Sequence, residues 1–198
     1  MRPPIIYEKT KDGEIVYDIF SRLSKDRIIF LYGAIDEEIG ATIASTLLYM
    51  NRQSDSKPIS LYIESVGGLV HGGLFPIFDM MNYIKAPIKT VCMGEACSAA
   101  TTILANGKKG MRYALPNSCI MIHELQSGVR GPVSDVVKHA KLVDFWNNRH
   151  ISILSKLTGK TEEVVKTAVK EETFFTAEEA KEFGLIDKIV KSLADTEE

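Results

Sequence analysis

The sequence predicts an α/β fold of repeated βαβ units, and three observations carry that prediction. Short apolar runs of strand length recur along the chain: Ile28 to Tyr32, Ile59 to Ile63, Ile88 to Met93 and Cys119 to Ile122. Stretches with helical spacing and capping residues separate them, the alternation expected of a mostly parallel sheet. No internal repeat or low-complexity linker interrupts the 198 residues, so a single domain over 1–198 is expected.

Taken in order, Tyr7 to Tyr17 reads as a hairpin turning at Asp12-Gly13, a favoured tight-turn pair, or as a frayed terminus. After the strand run at Ile28, Asp36 caps a helix with Glu37 and Glu38 in its first turn, where carboxylates oppose the positive helix end. Gly67-Gly68 turns the Ile59 strand into a helix that reaches about Ile84. Ile88 to Met93 then leads into Gly94-Glu95-Ala96-Cys97-Ser98-Ala99-Ala100, a strand that bends at a glycine into small residues at helical spacing. From Pro132 or Val133 to about Leu157 the pattern is helical, with Gly159 as its stop. Val136, Val137, Ala140, Val143 and Phe145, beside Trp146, give this helix an apolar stripe wider than one core needs. Such a helix is either a subunit contact or a plain core helix. Thr176 caps a further helix, with Glu179 completing a capping box, before a last strand near Leu185 to Val190.

Composition narrows the function classes. A net charge of −2 argues against nucleic-acid binding, which calls for a basic face. No apolar run approaches the ~20 residues of a membrane-spanning helix. Cys92, Cys97 and Cys119 cannot all pair, and none belongs to a C-x-x-C, which favours a reducing compartment. Met1-Arg2-Pro3-Pro4 has no apolar secretory core, so a cytoplasmic location is expected. The histidines and cysteines lack metal-ligand spacing and no phosphate-binding loop is present, so neither metal nor cofactor is expected.

The chemistry centres on Ser98. At a helix start it meets unpaired N–H groups and the positive end of the dipole, the conditions an alkoxide and an oxyanion need. Small residues at such a bend equally serve close packing. A serine nucleophile needs a base, and there are four histidines. His139 and His150 fall on the long helix, where a solvated histidine is the ordinary explanation. His71 follows the glycine loop and can face the same cleft, whereas His123 ends a strand, where α/β folds expose catalytic groups. Cys97 adjoins Ser98 as a rival nucleophile or a small packing residue.

Several motifs occur together in order: Asp18-Ile19-Phe20-Ser21-Arg22-Leu23, Arg27-Ile28-Ile29-Phe30-Leu31, Ser65-Val66-Gly67-Gly68 and Gly94 to Ser98. Arg112-Tyr113-Ala114-Leu115-Pro116-Asn117-Ser118, Ile120-Met121-Ile122-His123, Ala177-Glu178-Glu179-Ala180 and Phe183-Gly184-Leu185-Ile186-Asp187 follow. In order and spacing they resemble the proteolytic subunit family of the Clp proteases (ClpP), from about Tyr17 to Val190. The resemblance implies a ClpP/crotonase-like fold with a protruding handle helix over 125–158 and an axial-pore loop over 1–17. It implies a serine endopeptidase in which Ser98 attacks, His123 moves the proton and Glu172 orients His123, with the amides of Gly68 and Ala99 holding the oxyanion. It also implies stacked heptameric rings, unfolded polypeptide substrates, and an AAA+ unfoldase docked at Tyr62, Tyr83, Met93 and Tyr113.

The chain departs from the family pattern at specific places. Glu172 stands for the usual aspartate, within the charge run Lys170-Glu171-Glu172 that otherwise reads as a solvated surface. Val66 replaces a proline, Glu64 an asparagine and Ala99 a methionine; Glu124-Leu125 is also unusual, and one extra residue falls near Phe75-Pro76. These departures keep a catalytically weak or inactive subunit of a mixed ring as the alternative, with an acyl-CoA-processing crotonase relative as a more distant one.

Overall fold

The computed structural model describes residues 3–11 and 13–196, so Asp12 of the expected Asp12-Gly13 turn lies outside the described residues. β1 (Ile5–Thr10) and β2 (Gly13–Asp18) pair antiparallel, Ile5 opposite Asp18 and Thr10 opposite Gly13. The hairpin reading of this segment therefore holds. Asp18 ends β2 and caps α1 (Ile19–Lys25) by accepting the N–H groups of Phe20 and Ser21.

The body of the chain alternates as expected: β3 (Ile28–Ile35), α2 (Glu37–Gln53), β4 (Ile59–Gly68), α3 (Phe75–Tyr83), β5 (Ile88–Cys97) and α4 (Ala99–Ala105). Then come β6 (Arg112–Ala114), β7 (Cys119–Ile122), α5 (Val133–Thr158), α6 (Glu162–Lys170), β8 (Thr173–Phe175), α7 (Ala177–Phe183) and β9 (Lys188–Ile189). The sheet runs β3-β4-β5-β6-β9, all parallel, while β7 joins the far end of β5 and pairs antiparallel with β8. This is the mostly parallel α/β architecture that the alternating pattern predicts.

Two strands run longer than their apolar cores. β5 continues past Met93 to Cys97 because it changes partners: Thr90 to Cys92 pair with β6, and Glu95 to Cys97 pair with β7. Gly94, at φ 77°, is the kink between the two pairings. β4 likewise continues to Gly68 through a register shift after Ile63.

Helix α2 shows how the layers close. Asp36 accepts the Ile39 N–H at 2.8 Å, and the helix buries Gly40, Ile43, Ala44, Leu47 and Met50 along one face. A Cβ on Gly40 would stand 2.4 Å from the Gly72 carbonyl oxygen, so only glycine lets α2 approach the backbone beyond β4 this closely. That backbone, Val70–Leu74, is a π-helical turn in which the Leu74 N–H reaches back to Leu69 O and the Phe75 N–H to Val70 O. A π turn holds one residue more than an α turn, and this one lies directly before Phe75-Pro76, where the family resemblance implies an extra residue.

Arg112 and Asp187 bolt the far side together. Arg112 is only 2% exposed, and besides Asp187 its guanidinium donates to the carbonyls of Ala105, Leu157 and Gly184. It thereby joins the ends of α4, α5 and α7 to β6. Burial alone would raise the Asp187 carboxyl, but the Arg112 hydrogen bonds and charge, with two backbone N–H donors, hold it below the usual range.

Helix α5 enters the core only in its second half, where His150, Ile151, Leu154 and Thr158 are buried and Gly159 ends it in the left-handed conformation. Its first half leaves Val133, Val136, Val137, Leu142 and Phe145 exposed. No helix among the described residues is long and apolar enough to cross a membrane.

Candidate active site

The C-terminal ends of β4, β5 and β7 converge, and Ser98 stands at the middle one. It caps α4 with φ 57° and ψ −120°, a conformation unfavourable to any side-chain-bearing residue. A serine held on such a sharp strand-to-helix turn presents its hydroxyl outward. The bend is fixed from behind. The Ser98 N–H donates to Met121 O at 2.8 Å, and the buried Thr101 hydroxyl lies 2.6 Å from both Ala96 O and Met121 O.

His123 comes from the first residue after β7. The pairing of Cys97 with Met121 sets the two strand ends side by side, and His123 Nε2 lies 2.8 Å from Ser98 Oγ. Imidazole and hydroxyl are thus within proton-transfer distance. Of the two histidines the sequence left open, His123 meets the serine. His71 instead lies in the π turn, edge-on to Trp146 with ring centres 4.5 Å apart.

Gly67 completes the wall opposite. Its φ of 88° already favours glycine, and a Cβ there would fall 2.6 Å from Cys97 O and 2.8 Å from Ser98 Cβ. The glycine loop therefore lies directly against the serine bend. Gly68 follows it beside Ile35 of β3, and Ala99 is the first residue of α4, whose N–H has no partner within the helix.

Glu172 sits differently from Ser98 and His123. β7 and β8 pair Ile122 with Thr173, so His123 and Glu172 fall next to each other along the register. The Glu172 side chain is nevertheless exposed and makes no hydrogen bond to the imidazole. The side-chain Nε2 of Gln126 lies 3.4 Å from His123 Nδ1. Nothing in the sequence marked Gln126, which lies in an irregular segment with no motif.

The remaining expectations divide. Burial, and then the nearby Glu95 carboxylate, push the Cys97 thiol up to about 11, so it is a poor source of thiolate and a weak rival to Ser98. His150 is not the solvated residue its helix suggested: it is 4% exposed, its Nε2 lies 2.8 Å from the Thr102 hydroxyl, and its Nδ1 has no hydrogen-bond partner among the described residues. The helical pattern gave the element but not which face met α4. Tyr62 and Tyr113 share a small apolar cluster with Val91, Met111 and Val190, and Met93 is half-buried on β5. Tyr83 is 79% exposed at the end of α3 and lines a separate cavity with Leu48 and Arg52.

A parallel α/β sheet with a strained serine bend and a histidine at the neighbouring strand end is an arrangement able to support a serine nucleophile. Residues 11–193 match the family described as Clp protease, and the chain belongs to that family. It is a Clp-type peptidase at the level of the family.

Proposed function

We propose that this chain is the proteolytic subunit of an ATP-dependent Clp protease, a serine endopeptidase that cuts unfolded polypeptides to short peptides. One observation carries the reading: Ser98 Oγ on a strained bend, 2.8 Å from His123 Nε2. In the proposed reaction His123 Nε2 takes the hydroxyl proton as Ser98 Oγ bonds to the peptide carbonyl carbon. The carbonyl oxygen becomes an oxyanion facing the N–H groups of Gly68 and Ala99. Collapse breaks the C–N bond, and the imidazolium returns its proton to the leaving amine. Water, deprotonated by the same imidazole, then releases the acyl group from Ser98. Glu172 stands at the family's acid position without bonding the ring, so the reading rests on the Ser98–His123 pair.

The assembly follows from the same reading. Five exposed apolar side chains on the first half of α5 support a role as the handle between two stacked heptameric rings. Burying each fully would contribute about 1.5–3 kcal/mol. The β1–β2 hairpin would line the axial pore. An AAA+ unfoldase would dock over Tyr62, Tyr83, Met93 and Tyr113, in a cytoplasmic setting.

A second reading, an inactive ring subunit, draws on the absent Glu172–His123 bond. Hydrolysis of a fluorogenic peptide by the purified chain separates them. Turnover that Ser98→Ala reduces to residual levels supports the peptidase; assembled rings of the wild-type chain without turnover support the structural subunit.

A further inference from the structure

His123 needs more than a serine in front of it. For Nε2 to accept the Ser98 proton, Nδ1 must carry the other hydrogen, and an acceptor must hold that N–H in place. Among the described residues the one side chain within bonding distance of Nδ1 is Gln126, whose Nε2 lies 3.4 Å away. Glu172, at φ 51° and exposed, makes no hydrogen bond to the ring.

The segment that carries Gln126 is pinned on both sides. The Leu125 N–H donates to Asn147 Oδ1 at 3.1 Å, and the Ser127 hydroxyl lies 2.7 Å from His139 Nε2. Asn147 and His139 are both on α5, about two turns apart. Gln126 therefore spans two anchors on one rigid helix. Its side chain is delivered to His123 by those anchors rather than by its own burial.

We propose that Gln126 is a positioning residue for His123, its amide taking the place that a triad acid usually fills. This rests on the reading of Ser98 and His123 as nucleophile and base. A side-chain amide can serve either tautomer, because a half-turn of its end exchanges donor and acceptor. With Oε1 toward the ring, Nδ1–H donates to it and Nε2 is free to act as base. With Nε2 toward the ring, Nδ1 accepts and the imidazole presents its hydrogen to Ser98, a form that cannot take the proton. In the structure Nε2 is the amide atom that faces Nδ1, so Gln126 supports the working tautomer after a half-turn of its end, and in either orientation it adds no formal charge to balance the imidazolium. Titratable groups around the ring are Glu124 next in sequence, Glu172 across the β7–β8 register, and His150 of α5, close enough to feel the charge of His123.

The test compares Gln126→Ala, Gln126→Glu and Glu172→Gln in the full chain. The readouts are kcat and KM on a fluorogenic peptide across pH, and the His123 titration by NMR of histidine labelled with ¹³C. Gln126→Ala should lower kcat by roughly 10–100-fold, toward the low end of or below the roughly 10²–10⁴-fold that a positioned general base supplies, with KM within about twofold. Gln126→Glu restores the acceptor and adds a charge. It should keep kcat above that of Gln126→Ala and raise the His123 titration, moving the acid limb of kcat to higher pH. Glu172→Gln, the comparison for loss of the acid at the family position, should lower kcat less than Gln126→Ala does.

Loss in Glu172→Gln equal to that in Gln126→Ala overturns the assignment, as does a Gln126→Ala variant unchanged in both kcat and His123 titration. If the wild-type chain hydrolyses no peptide yet Gln126→Glu alone moves the His123 titration, the Gln126 contact stands and the peptidase reading fails. If peptide is hydrolysed and all Gln126 variants are silent, the peptidase reading stands and Gln126 is overturned.

Discussion

Asp187 grips Arg112 with both carboxylate oxygens, Oδ1 on Nη2 at 2.6 Å and Oδ2 on Nε at 2.9 Å. The same Oδ2 accepts the backbone N–H groups of Gly110 and Arg112. Removing one partner would strand the other in a nearly dry site. Asp187→Asn should therefore cost about 3–5 kcal/mol of unfolding free energy in chemical denaturation. A loss below about 1 kcal/mol would mean the pair is not a structural tie. The carboxyl is held below its ordinary range, so this stabilisation is present at neutral pH and is lost as pH falls through the acid range.

His150 gives a second, separable pH dependence. Burial first, and the neighbouring His123 second, push it down to about 4 from an ordinary 6.5. The unfolded chain then binds a proton between those values that the folded chain refuses. Stability should be full above pH ~6.5 and fall by up to about 3 kcal/mol toward pH ~4. His150→Gln keeps a group able to bond the Thr102 hydroxyl but removes the titration. Its denaturation midpoint should change less between pH 7 and pH 5 than that of wild type. Parallel curves for the two proteins would show that His150 is not the source.

Gly67 tests the serine bend from the opposite side. Gly67→Ala places a methyl against Cys97 O and Ser98 Cβ in a left-handed conformation. Peptide hydrolysis should fall by about 100-fold or more, because an ångström of displacement at the nucleophile is enough for such a loss. Near-wild-type turnover with a normal melting curve would mean the loop does not define the site.

Phe145, 58% exposed on α5, tests the assembly. A glutamate there would carry charge into any apolar contact the helix makes. Phe145→Glu should sediment as a smaller species than wild type and hydrolyse peptide more slowly. A wild-type chain that sediments as a monomer at micromolar concentration contradicts the handle role.

The pattern of apolar runs made the parallel core legible because buried strands and capped helices leave short, local signatures. Asp36, Thr176 with Glu179, and Gly159 all act where their sequence context put them. What stayed hidden depends on partners distant in the chain. The extension of β5 to Cys97 is set by β7, and α6 has its Thr161 cap and paired glutamates but packs through contacts that no local motif states. The Arg112 and Asp187 motifs were visible, yet their pairing across 75 residues was not. In the site, Ser98 and His123 were legible from strand ends and the family resemblance. Gln126 and buried His150 were not, since one lies in an irregular loop and the other depends on which face of α5 meets α4.

The most direct test of the central claim is covalent capture of the nucleophile by a fluorophosphonate. Ser98 Oγ, deprotonated by His123, would form the bond to phosphorus as fluoride leaves. The intact chain should gain one adduct, mapped by peptide mass to Ser98, retained in Cys97→Ala and absent in Ser98→Ala. An assembled wild-type chain that gains no adduct, or gains it at Cys97, would contradict the account.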